Sequence, residues 1–187
     1  IRQSVIDRIR YPDRHSWLDR LSEAFEQNQF QIYRQRIAAI HGSAISVCTT
    51  TVLENSKNQY KLTDHYELLV RLSDTDQLVI SPGQFLPVAE RYGLTATIDR
   101  WMVRQYLQFP PDQHLHSINL SAASICDRGF VEFVSRELSK SSVAPNLLGF
   151  EISEKFIKRY PKQSQRLLQG LQYLGCQIAI DDVSFVL

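Results

Sequence analysis

The sequence predicts an α/β domain built on a parallel sheet, and three observations carry that expectation. From residue 65 onward, short apolar segments alternate with longer amphipathic ones. The longer segments are punctuated at both ends, with Pro82 and Pro161 at starts and Gly93 and Gly175 behind ends. The composition, 43% hydrophobic and 22% charged over 187 residues, is that of a globular chain with one core of ordinary size.

Ser16, with Trp17, Leu18, Leu21, Ala24 and Phe25 at helical spacing and Asp19 three residues on, predicts a helix over about 17–28. FQIYRQRIAAI (30–40) and ISVCTTTVL (45–53) are rich in β-formers and flank His41-Gly42-Ser43, so a strand, a turn and a second strand are expected. Residues 54–64 are polar and read as a loop. HYELLVRL (65–72) is the next strand. A helix carrying Phe85, Val88, Ala89 and Tyr92 follows Ser81-Pro82, with Gly93 as its C-cap. Ile98, Trp101, Met102 and Tyr106 mark a further helix from near Thr97, stopped by Pro110-Pro111. Strands are expected at 115–121, 147–153 and 177–183, with helices around 127–139 and after Pro161 between them.

Several functional classes are excluded by composition. Lys and Arg number 21 against 20 Asp and Glu, so no bulk charge favours a nucleic acid polymer or an acidic membrane. No apolar run approaches the roughly 20 residues of a membrane helix, and the charged opening IRQSVIDRIRYPDR is unlike a signal peptide, so a cytoplasmic location is expected. Cys48, Cys126 and Cys176 form no CxxC pair and read as reduced packing residues. Because the chain opens on Ile1, a segment of something longer is expected, with residues 1–16 as a linker or N-terminal extension.

The polar residues fall in a pattern. Glu67 lies in one strand, Asn119 ends the next, Glu151 is near the end of the third, and Asp181-Asp182 close the last. Carboxyl ends of parallel strands open on one face, where ligands bind. Four strands thereby aim oxygen ligands at one place, a hard donor set suited to Mg²⁺ or Mn²⁺, and clustered anions repel without a cation. Each residue alone reads as an ordinary capping group; the set points to metal chemistry.

These residues also carry a resemblance. Glu67-Leu68-Leu69 with Arg71 resembles the E-x-L-x-R motif of the EAL domain family, the cyclic-di-GMP phosphodiesterases of bacterial signalling. Tyr33 and Gln35 resemble its Y-x-Q-P-I strand, with Arg36 in the proline position. Ser81-Pro82, Phe85, Pro87, Ala89-Glu90, Gly93, Ile98-Asp99 and Trp101 are similar to its long signature. Asn119-Leu120-Ser121, Glu151-Ile152-Ser153-Glu154 and Asp181-Asp182 match N-L-S, E-I-T-E and the start of D-D-F-G. The resemblance covers about residue 17 to the end and is nearest to EAL domains found behind GGDEF modules.

What the resemblance implies is a TIM-like barrel with two Mg²⁺ or Mn²⁺ ions, hydrolysing cyclic-di-GMP to linear pGpG. Glu67, Asn119, Glu151, Asp181 and Asp182 would be metal ligands, and Gln35, Leu69 and Arg71 would contact the dinucleotide. Glu154 would order the neighbouring loop. An upstream GGDEF or sensor domain is an implied partner.

Two departures qualify this. Val183-Ser184 replace the Phe-Gly of D-D-F-G, and the 187 residues contain none of the family's later segments, which carry a lysine, a further glutamate and a glutamine. A full barrel takes about 250 residues and eight strands. Here about five parallel-type strands plus an opening antiparallel hairpin are expected, so residues 17–187 read as the N-terminal part of the domain. Fragment, natural truncation, and pairing of half-barrels as a homodimer or with a neighbouring domain all stay open. A chain inactive on its own is expected; the alternative is a degenerate EAL module that binds cyclic-di-GMP or a protein partner as a non-catalytic regulator.

Overall fold

The computed structural model describes residues 14–37, 64–73, 79–110 and 112–183. Helix α1 (Arg14–Glu26) leads into β1 (Phe30–Ile37), which pairs antiparallel with β2 (His65–Ser73). A short strand β3 (Val79–Ile80) pairs with the end of β2 and hands the chain to α2 (Pro82–Arg91) and α3 (Thr95–Gln108). Then come β4 (Leu115–Asn119), α4 (Ala122–Cys126), α5 (Phe130–Leu138), a 3₁₀ turn (Pro145–Leu147), β5 (Leu148–Ser153), α6 (Glu154–Arg159), α7 (Pro161–Tyr173) and β6 (Gln177–Asp181). The sheet order is β1-β2-β4-β5-β6, with β3 on the side of β2.

Strands β2, β4, β5 and β6 run parallel, each adjacent to the next in sequence order. Among the described residues four strands are parallel, and Phe30–Ile37, expected as an arm of the opening antiparallel hairpin, pairs antiparallel with β2. The expected strand over 45–53, the turn at 41–43 and most of the 54–64 loop lie outside the described residues, as do Cys48 and Ser184.

One face of the sheet is apolar and covered. Leu68, Val70 and Leu72 of β2, Ile118 of β4, and Leu148, Phe150 and Ile152 of β5 are buried. Helix side chains meet them and their neighbours: Phe30 lies 5.9 Å from Phe85 of α2 and 5.5 Å from Trp101 of α3, and Phe130 of α5 lies 6.1 Å from Phe150, centroid to centroid. This is the hydrophobic layer expected between strands and their crossover helices. The buried Arg20 of α1 donates to the Gln29 side chain and to the Ser73 carbonyl, tying α1 to the carboxyl end of β2. Alternation puts the other residues of each strand on the opposite face, which no described helix covers.

Two helices escaped the sequence pattern. α4 and α6 are five and six residues long, too short to show a helical period, and follow directly on the ends of β4 and β5. Gly93 (φ 71°) and Gly175 (φ 88°) end α2 and α7 in the left-handed region, as their positions in the sequence predict.

Candidate functional site

Strand register brings the acidic and amide residues together on the uncovered face. Gln35 stands opposite Glu67 across the β1–β2 ladder, and Tyr33 opposite Leu69. Glu67 is level with Ser117, Asn119 with Glu151, and Ser153 with Asp181 in the parallel ladders. Because these residues differ by two along each strand, they share one face. The Asn119 amide Nδ2 donates to Glu67 Oε1 at 2.5 Å, linking β4 to β2 at the candidate site.

Glu151 is the centre of this arrangement. Its strand is flanked on both sides, and the residue is only 8% exposed. Burial pushes its carboxyl above the ordinary range, and the nearby charges of Glu67 and then Asp181 push the same way against a hydrogen bond with Ser117. Glu151 Oε1 is buried with no hydrogen-bond partner. His65 Nε2 is hydrogen-bonded to Ser117 Oγ and stands 4.0 Å from Glu151 Oε1. Burial, followed by the charge of His116, lowers the His65 pKa, so this imidazole brings no compensating positive charge at neutral pH.

The remaining residues stand around this centre. Asp181 and Asp182 are exposed at the end of β6; Asp182 has φ 54° and its Oδ2 accepts from Ser153 Oγ at 3.2 Å. Among the described residues no three His, Cys, Asp or Glu side chains close into a ligand cage, so what the fold supplies is a row of oxygens spread over four strands. Arg71 Nη1 donates to the Val70 carbonyl at 2.9 Å, and its guanidinium lies 5.7 Å from the Tyr33 ring centroid, on the uncovered face. Glu154 starts α6, where the helix dipole favours an acid, and pairs with Lys158 at 2.9 Å.

An orphaned, buried anionic oxygen beside two more carboxylates is electrostatically incomplete, and a divalent cation fits it. All donors are oxygen, which suits Mg²⁺ or Mn²⁺ better than softer metals.

His65 and Ser117 were not singled out by the sequence reading. Both sit two residues before a motif residue, so strand alternation was the signal that would have placed them on the site face. His114 immediately precedes β4 and His116 is near its amino end, away from the candidate site. His116 Nδ1 is engaged by the His114 carbonyl at 3.1 Å and Tyr106 Oη at 3.3 Å. It lines a separate hollow of about 360 Å³ with Arg34, Asp112 and Phe109.

The EAL domain profile matches residues 58–185, more than half of the sequence. The chain belongs to the EAL domain family. It is 35% identical over 176 residues to the cyclic di-GMP phosphodiesterase PdeF of Escherichia coli, covering 91% of this chain and 21% of that protein. It is 27% identical over 172 residues to the phosphodiesterase PdeB of Shewanella oneidensis, covering 89% of this chain and 18% of PdeB. The chain thus spans about a fifth of the length of these relatives. Among solved structures, the FimX EAL domain of Pseudomonas aeruginosa bound to c-di-GMP superposes with a TM-score of 0.75 at 28% identity, over 91% of this chain and 64% of that one. The PaMucR phosphodiesterase in complex with c-di-GMP gives a TM-score of 0.69 at 26% identity, covering 92% and 66%. The mostly parallel sheet is accordingly the EAL arrangement of a TIM-like barrel, represented here by part of the barrel.

Proposed function

We propose that these residues form the metal- and nucleotide-binding part of an EAL phosphodiesterase site for cyclic-di-GMP. The single observation that carries the metal assignment is Glu151: buried, with an orphaned oxygen and with Glu67 and Asp181 raising its pKa. Glu67, Asn119, Glu151, Asp181 and Asp182 would hold Mg²⁺ or Mn²⁺. Bound there, the metal would supply Lewis-acid stabilisation of phosphoryl charge and an activated water for hydrolysis to pGpG.

The protein's own groups would bind and orient the dinucleotide. Arg71 and Gln35 stand on the uncovered face beside the carboxylates, where a guanidinium and an amide can meet phosphate or guanine edges. Leu69 sits between them as an apolar floor, and Tyr33 lies opposite it. Glu154 would hold the turn after β5 through its place at the start of α6. The function proposed for these residues is metal-dependent binding of the dinucleotide. An upstream GGDEF or sensor domain is the proposed partner; PDEs and cyclase-linked proteins such as the bifunctional MucR are among the relatives.

Titration calorimetry with cyclic-di-GMP, with Mg²⁺ and with chelator, tests this, followed by chromatography for pGpG. Heat that vanishes with chelator is expected. Binding without product supports the binding role, while product from the 187-residue chain would show that other groups replace the lysine. Glu67→Ala and Asp181→Ala should each abolish Mn²⁺ binding; unchanged binding in both would sink the metal assignment.

A further inference from the structure

We propose that Asp99 is a positioning residue for Asn119, its buried carboxylate fixing from the helix side the turn that presents the Asn119 amide at the site. The proposal rests on the reading of Asn119 as an oxygen donor to the cation. Asp99 lies on α3 and is 7% exposed, and its side chain is hydrogen-bonded to Ser121 and Ser124. Its Oδ2 accepts three hydrogen bonds: from Ser121 N at 2.9 Å, Ser121 Oγ at 2.6 Å and Ser124 Oγ at 2.7 Å.

Three consecutive residues are thereby held from three directions. The Asn119 side chain donates to Glu67, Leu120 N donates to the Glu151 carbonyl at 2.9 Å, and Ser121 N donates to Asp99. Two of those anchors belong to neighbouring strands of the site; the third is Asp99 alone. With Nδ2 committed to Glu67, Oδ1 is the Asn119 atom that can meet a cation, and its direction follows from the backbone that Asp99 holds.

Capping α4 does not require this carboxylate. Ser121 Oγ already accepts from Ser124 N at 3.3 Å, and the helix is five residues long. Burying a carboxylate to collect three further donors is costly, which argues for precision at the turn rather than helix stability. Groups that orient a ligand from behind it typically contribute about 10–100-fold to metal affinity or activity.

The test uses Asp99→Asn and Ser124→Ala in the full chain. Asp99→Asn keeps the shape but replaces a charged acceptor of three donors with a neutral one; Ser124→Ala removes one donor and serves if the first variant does not fold. Two quantities are read: Mn²⁺ affinity by calorimetry, and the side-chain amide NMR signal of Asn119 without metal, assigned by its loss in Asn119→Asp. We expect about 10-fold weaker Mn²⁺ binding and a displaced Asn119 signal in Asp99→Asn, with a smaller change in the same sense in Ser124→Ala. A folded variant with wild-type Mn²⁺ affinity and an unmoved Asn119 signal, whatever its melting temperature, would overturn the proposal. If the wild-type chain takes up no Mn²⁺, the ligand reading fails, and the metal-free Asn119 signal still decides whether Asp99 positions that side chain.

Discussion

Glu151 is held in a state its own charge opposes, and that tension is measurable. Burial first, then Glu67 and Asp181, raise its pKa, so the metal-free folded state binds this proton more tightly than the unfolded chain does. The stability it contributes is present at low pH and lost as pH rises through the raised value. Glu151→Gln should therefore raise the metal-free melting temperature at neutral pH, by about 2–4 °C per kcal/mol recovered, while abolishing Mn²⁺ binding. Thermal melts with chelator check the first half, and an unchanged or lower melting temperature would contradict it. Asp99 has the same sign for a related reason: burial outweighs its bonds from Ser121 and Ser124 and lifts its pKa from 3.8 to about 6. Its contribution is complete below 3.8 and is lost as pH rises through about 6. Denaturant midpoints across that range should fall less steeply with pH in Asp99→Asn than in the wild-type chain.

Between elements, α7 packs closely against α5 at Gly170. A Cβ at Gly170 would stand 2.7 Å and 2.8 Å from the two Val131 methyls, and a β-branched side chain cannot swing away. Gly170→Ala should accordingly destabilise by about 1–3 kcal/mol through overpacking, despite alanine's better helix propensity. Adding Val131→Ala should restore stability beyond the sum of the single changes, a coupling read from a double-mutant cycle of urea melts. The sequence showed α7 plainly through Leu167, Leu168, Leu171 and Leu174 but said nothing of this contact, since which helices neighbour one another depends on the sheet beneath them. Short α4 and α6 were likewise hidden: they are single turns or little more, fixed by the strand ends before them.

At the scale of the molecule, the sheet has one face filled by helices and the other lined by the oxygens of the site. Strands β1 and β6 form the two ends of the sheet order among the described residues. Ligand binding on the uncovered face should couple to global stability. A ligand at about 100 times its Kd adds about 2.7 kcal/mol, so cyclic-di-GMP with Mg²⁺ should raise the melting temperature by several degrees in the wild-type chain and not in Glu67→Ala. An equal rise in both would place the nucleotide elsewhere on the protein.

By itself the sequence determined the class of fold, the order of its long elements and which residues could form the site. Hydrophobic alternation and Pro/Gly punctuation are local properties, and the strand-end positions of Asn119, Glu151 and Asp181 follow from them. Only the tertiary structure decided that β1 pairs with β2, that Gln35 faces Glu67, that Glu151 is the buried one of the candidate metal-ligand carboxylates, and that Asp99 reaches the turn after Asn119. Those facts depend on register and on helix–sheet packing. Both are set by contacts between residues far apart in the chain, which no local pattern encodes.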